Sequence, residues 1–366
     1  MLRGGAILIA AGAAGCAVSR SAVVTAAAGT IAWKYQTDGR VRGLRAATGR
    51  VVVESETGLA GLDDTSGREL WRAPFSTPGI ATGACFWSDA LVVCETGPDA
   101  VNRAVAVDLA TGQRKWSFDA PDGAALVGAF GIRDGVLYLI AADHDQGGRE
   151  IWAVDLRAES VRWRVPCPAD GLVVPDGGLL YSRGTAGGGE IAAFDPGTGA
   201  TVWSRAGDPG ISGTTIGSGL VDGAVLATDG LHTVSGLDPK TGAALWTTPA
   251  LPYPTDVLFG GGDVYYLSDG DKLHAMRPGG DAAPLWSLGV SDGGRAGKAG
   301  GYAADGICYL LADKTLRAIE AHTGKVRWMQ EIPDKAGSEV PFAVGDGYCS
   351  VESAEGDGAA VVAFAR

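Results

Sequence analysis

Along most of this chain apolar and polar residues alternate in short runs separated by Gly, Asp, Ser and Thr, the period-two pattern of β-strands. Seven times the alternation takes the same form: GLDDTSGRELW (61 to 71), AVDLATGQRKW (106 to 116), AVDLRAESVRW (153 to 163), AFDPGTGATVW (193 to 203), GLDPKTGAALW (236 to 246), AMRPGGDAAPLW (275 to 286) and AIEAHTGKVRW (318 to 328). Six of the seven hold a small residue ten positions before the Trp, and AMRPGGDAAPLW alone adds one residue. Together with Trp33, the tryptophans that close these phrases, Trp71, Trp116, Trp163, Trp203, Trp246, Trp286 and Trp328, recur at intervals of 38, 45, 47, 40, 43, 40 and 42 residues. Register held that tightly marks a repeat protein.

Each phrase predicts a β-hairpin: an alternating strand, a polar Thr-Gly or Ser-Gly turn, and a strand carrying the aromatic. A period of forty-odd residues is the length of one four-stranded propeller blade. Upstream of each phrase, apolar runs such as GRVVVES (49 to 55), DGVLYLIA (134 to 141), GDVYYLS (262 to 268) and DGICYLL (305 to 311) predict second strands. Innermost strands are expected at roughly 41 to 46, 81 to 86, 126 to 130, 171 to 174, 213 to 218, 254 to 259, 297 to 303 and 340 to 343, and no helix of useful length is predicted. The chain ends in VVAFAR, where Ala363, Phe364 and Ala365 match the opening of the phrase but no turn or Trp strand follows. At the other end TIAWKY (30 to 35) offers a Trp strand with no hairpin partner before it. The expectation is an all-β fold: an eight-bladed β-propeller of four-stranded antiparallel blades, closed by pairing the N-terminal strand with the C-terminal blade. Closure also removes exposed sheet edges.

Within the phrase Gly supplies a left-handed turn position. Asp63, Asp108, Asp155, Asp195 and Asp238 sit where a carboxylate accepts turn N–H groups. Gly61, Ala106, Ala153, Ala193, Gly236, Ala275 and Ala318 leave room for a large neighbour, for which the repeat Trp is the candidate. The competing reading of the tryptophans is an exposed aromatic stripe on which a ligand stacks.

Composition sets the compartment and excludes one class of partner. The net charge of −12 and the absence of a basic run argue against nonspecific nucleic-acid binding. Residues 1–16, MLRGGAILIAAGAAGC, resemble a short secretory signal ending in a lipobox, with Ala13 in the place usual for Leu and Cys16 as the lipidation candidate. About 15 apolar or small residues are short for a membrane-spanning helix, which needs ~20. The organisation expected is a leader at 1–16, a linker at 17–29 and a propeller at 30–366, placed outside the cytoplasm, either attached to the cell membrane as a lipoprotein or secreted. Cys85, Cys94, Cys167, Cys308 and Cys349 show no metal-knuckle spacing. Cys308 and Cys349 hold the same place in two second strands, as buried apolar thiols or as a disulfide in an oxidising compartment.

No chemistry-bearing motif accompanies the repeats. His144, His232, His274 and His322 stand in no nucleophile or metalloprotease pattern. Asp143, His144 and Asp145 offer cation ligands in a long loop whose default reading is solvated surface. The phrase, from Thr30 to Arg366, resembles the repeats of the pyrroloquinoline quinone (PQQ)-like propeller family. Quinoprotein alcohol dehydrogenases of that kind combine the scaffold with an adjacent cysteine pair, a calcium held by acidic and Asn ligands, and a catalytic Asp. Here no two cysteines are adjacent and Asn102 is the sole Asn, so that set is not assigned. The resemblance implies instead a noncatalytic module similar to BamB, a lipoprotein scaffold of outer-membrane barrel insertion, or to the sensor propellers of bacterial membrane Ser/Thr kinases. No catalytic, cofactor or metal residue is assigned, and no cofactor is expected. Protein partners are expected on the face carrying the variable loops 95–103, 142–150, 183–190, 287–300, 331–339 and 352–358, opposite the Thr-Gly turns.

Overall fold

In the computed structural model each phrase folds as the third and outermost strands of an antiparallel sheet, and the apolar run before it as the second strand. The structure describes residues 27–366 apart from 48, 75–79, 88–89, 97–101, 122–123, 143–147, 168, 176, 185–189, 206–219, 229–232, 251–255, 269–271, 281–282, 290–299, 313–314, 333–341, 346 and 356–357. Sheets follow one another along the chain over residues 41–74, 80–119, 125–166, 169–205, 220–247, 256–289, 300–331 and 342–365, here numbered blades one to eight. Blade eight takes its outermost strand from the other end of the chain: Ile31–Thr37 runs antiparallel to Gly358–Ala365, with Trp33 opposite Ala363.

The expectation of eight four-stranded blades is corrected. Among the described residues seven sheets hold four strands of three or more residues each, while of the innermost strand of blade five Leu220–Val221 is described. Seven full blades therefore stand in place of the eight expected. The strand expected at 213–218 lies outside the described residues. After Leu220–Val221, Asp222 and Gly223, both at positive φ, turn the chain into the second strand. Other innermost strands move by two or three residues from expectation, as at Ala169–Val173, Asp256–Gly261 and Gly300–Ala304.

Buried apolar side chains of the described residues fall into eight clusters, and each cluster fills the layer between two neighbouring sheets. Val52 and Trp71 meet Val105 between blades one and two, Leu316 meets Phe364 between seven and eight, and Val53 meets Val361 between eight and one. Five further clusters join the blades between. Each inner sheet is thus covered on both faces. That is why the second strands read as near-continuous apolar runs, as in Val136–Ala142, while the outermost strand Ser160–Pro166 alternates exposed with half-buried.

The tryptophans lock one blade to the next. Trp71 Nε1–H donates to the Leu109 carbonyl of blade two at 2.7 Å, and Trp33, Trp163, Trp203 and Trp286 reach Asp64, Pro196, Pro239 and Ala321 at 2.8, 3.0, 3.1 and 2.8 Å. In every case the acceptor is the residue after the turn carboxylate. The ring of Trp71 lies between two glycines: a Cβ at Gly61 of its own blade would come within 2.1 Å of it, and one at Gly112 of the next within 2.6 Å. Sequence spacing proposed the first contact; the second is the inter-blade one.

At the closure the phrase is divided between the chain ends. Gly29, at φ 81°, donates its N–H to the Ala365 carbonyl at 2.7 Å, as Gly112 does to Asp108 at 2.9 Å, and Trp328 of blade seven packs against it. Arg366 fastens the same end, with Nε donating to the Tyr309 hydroxyl at 2.8 Å and Nη1 to the Gly345 carbonyl at 2.6 Å.

Candidate functional site

The turn carboxylates are structural. Asp108 Oδ1 accepts the N–H groups of Ala110 and Thr111 at 2.9 and 2.7 Å and the Thr111 hydroxyl at 2.9 Å, while Lys115 lies 2.7 Å from Oδ2. The Lys115 hydrogen bond, then the Thr111 and backbone bonds, hold its carboxyl down to about 2. Asp63, Asp155, Asp195 and Asp238 make the same turn bonds. Glu320 replaces Asp in blade seven and accepts the Thr323 hydroxyl at 2.8 Å. These carboxylates are engaged in holding their own turns. The tryptophan stripe is likewise consumed by inter-blade packing.

Of the histidines, His274 is buried with Nδ1 2.8 Å from Ser287 Oγ, and His322 is exposed with Nε2 3.4 Å from Asp263. His144, His232, the Asp143–Asp145 acids and Cys16 lie outside the described residues. Among the described residues no group of three or more His, Cys, Asp or Glu stands together to hold a metal ion. Cys167, Cys308 and Cys349 are buried and form no disulfide, and burial pushes the Cys349 thiol up to about 12. Cys308 belongs to the layer between blades six and seven and Cys349 to that between seven and eight, so the disulfide alternative for this pair is not realised.

What remains is the face where second strands hand over to third and outermost strands to the next blade. Most of its variable loops lie outside the described residues, so it is defined by the strand ends that carry them. Five innermost strands are irregular just inside this face, at Val41/Gly43, Thr82/Ala84, Leu126/Gly128, Ala169/Gly171 and Val257/Phe259. Such bulges bend a strand and increase its twist. Next to the first, Glu54 is buried beside Gly43 and Arg45, and burial raises its carboxyl against the opposing pull of Arg45 and Arg42. Arg42 pairs with Glu56 at 3.1 Å. In blade three Glu150, at the start of its strand, accepts the indole N–H of Trp152 at 2.7 Å.

A cleft opens on this face between blades eight and one. It encloses about 210 Å³ above Val53 and Ala60, with Thr37, Ser55 and Thr57 around it. Its outer wall is an ionic lattice. Arg72 donates to Glu69 at 2.8 Å, to the Tyr35 hydroxyl at 2.9 Å and to Asp38, while Tyr35 donates to Glu69. Arg72 lowers the Glu69 carboxyl, and burial, then Glu69, raises the Tyr35 phenol, which stays protonated. No sequence motif announces this lattice, because Tyr35 and Asp38 belong to the N-terminal strand and its exit while Glu69 and Arg72 sit on blade one. Gly29 was legible and overlooked: it stands four residues before Trp33, as Gly67 and Gly112 stand before Trp71 and Trp116.

Comparison with known proteins places the architecture. A family model described as outer membrane protein assembly factor BamB matches residues 19–139 and 133–284. No curated protein matches in sequence. BamB from Moraxella catarrhalis is similar in structure with a TM-score of 0.65 at 17% identity, covering 92% of this chain and 99% of that one. The computationally designed Ika8 protein gives 0.70 at 16%, covering 92% and 100%. A quinohemoprotein alcohol dehydrogenase, ADHIIG from Pseudomonas putida HK5, gives 0.65 at 16%, covering 92% of this chain and 76% of its own. At these identities the likeness is one of fold.

Proposed function

Because this chain belongs to the family described as outer membrane protein assembly factor BamB, we propose that it is a noncatalytic, extracytoplasmic propeller that serves as a protein-binding and assembly scaffold, tethered to its membrane through Cys16. The family match is the observation that carries this reading. The geometry supports it: the repeated Trp, Gly and Asp positions are spent on holding blades together, which leaves the loop face as the surface free to vary and bind. Among the described residues no helix is long and apolar enough to cross a membrane.

The second reading, a degenerate quinoprotein oxidoreductase, rests on the shared fold of the alcohol dehydrogenases. The chain lacks the adjacent cysteine pair and offers one Asn, so its residues do not match that quinone and calcium set. Crosslinking from the loop face in the native membrane, with mass spectrometry of the captured protein and of the mature N-terminus, tests the scaffold. A reproducible partner and a lipid-modified Cys16 are expected. Quinone- and calcium-dependent dye reduction by the purified chain, with no partner captured, would overturn it.

A further inference from the structure

We propose that the cleft between blades eight and one is the anchor pocket of the partner surface, and that it receives one aliphatic side chain of a partner protein followed by a basic residue. This deepens the scaffold reading and rests on it.

Size decides what the cleft can hold. A cavity of about 150 Å³ takes up benzene, whereas sites for cofactors and drug-sized ligands run from about 300 to 1,000 Å³. At about 210 Å³ the cleft matches one side chain. Its chemistry is that of an interface hot spot: an apolar floor from Val53 and Ala60 inside a polar collar of Thr37, Ser55, Thr57 and Tyr35. The collar is preorganised. Arg72 is gripped from three sides by Asp38, Glu69 and Tyr35, so the wall need not rearrange when an occupant arrives.

Charge selects the flank. Around the cleft Asp38, Glu56 and Glu69 outnumber Arg42 and Arg72, and Asp38, the most exposed of them at 68%, has its carboxylate at the rim. A cation reaching the rim can share Asp38 with Arg72; an anion meets repulsion. The whole chain carries −12, which disfavours a second copy as the occupant and favours a basic segment. The location fits a seam between blades: Tyr35, Thr37 and Asp38 come from the strand that completes blade eight and its exit, and the remaining walls come from blade one.

The test uses the full chain with methyl-labelled Val and Leu and two probes, N-acetyl-leucyl-lysinamide and N-acetyl-leucyl-glutamic diamide in its free side-chain acid form. Saturable shifts at Val53 are expected for the lysine probe, on the order of 1–10 mM, and at least about threefold weaker for the acidic one. Asp38→Lys should reverse that preference, and Thr57→Trp, which fills the mouth from an exposed position, should abolish both. Equal affinities for the two probes, no saturable shift, or shifts untouched by Thr57→Trp would each overturn the assignment. Probe binding without any partner captured in the membrane would sink the scaffold reading and leave the pocket; a captured partner with a silent cleft would do the reverse.

Discussion

Trp328 packs on Gly29, so the rim of blade seven rests on the opposite end of the chain: a Cβ at Gly29 would lie 3.0 Å from that of Trp328, on a backbone at φ 81°. Gly29→Val is therefore expected to cost about 1–3 kcal/mol, from left-handed strain plus lost docking. Gly49→Val separates the two, since Gly49 has φ 68° but open space around it. Chemical denaturation of both variants should show the larger loss at Gly29; equal losses would mean that the tryptophan contact contributes nothing.

The divided phrase makes a sharper prediction. Joining Arg366 directly to Ala27 recreates the spacing of Asp108 to Gly112, because Ala365, Arg366, Ala27, Ala28 and Gly29 then stand in those five places. A permutant joined this way, with new ends within 187–189, should fold with an unchanged tryptophan fluorescence maximum and a melting temperature at or above that of the parent. One residue added at the joint should lower it. A permutant that melts no higher without the insertion than with it would refute the alignment.

Asp108 gives a pH signature. Its folded carboxyl titrates near 2, below the ordinary 3.8, so its stabilising contribution is complete above about 4 and disappears as pH falls toward 2. The difference in melting temperature between the parent and Asp108→Asn should be constant from pH 5 to 7 and shrink between pH 4 and 2. A difference that persists undiminished at pH 2 would assign the effect to turn geometry rather than charge.

Thiol chemistry checks the core. With Cys349 pushed up to about 12 and Cys308 raised by burial as well, neither should react with iodoacetamide at pH 8 in the folded protein, and both should react in about 6 M guanidinium. Labelling of either thiol before unfolding would contradict the packing of blades seven and eight.

Sequence alone carried the propeller architecture and the closure because both follow from local pattern: Trp and Gly at fixed spacing, and a strand lacking its partner at each end. It overstated the uniformity of the ring. Periodicity counts positions rather than packing, and innermost strands such as Asp256–Gly261 and Gly300–Ala304 stand two or three residues from where it put them. The seam cleft was not legible at all. Tyr35 and Arg72 are unremarkable in their own phrases, and their lattice with Glu69 appears when the N-terminal strand packs beside blade one. Glu54 was hidden likewise, since a carboxylate in an apolar run reads as an outward position until the neighbouring sheet covers it.

The shared last blade also orders events in time. Of the described strands Ile31–Thr37 leaves the ribosome first and its partner Gly358–Ala365 last. At typical synthesis rates roughly 15–65 s separate them. Through that interval every other sheet can form and stack on its predecessor, yet the first strand waits with both edges open, a template for any passing strand. A chain stalled or clipped a few residues short would keep its stacked blades and never become a ring, and quality control acting on that one free strand would read the completeness of the whole molecule.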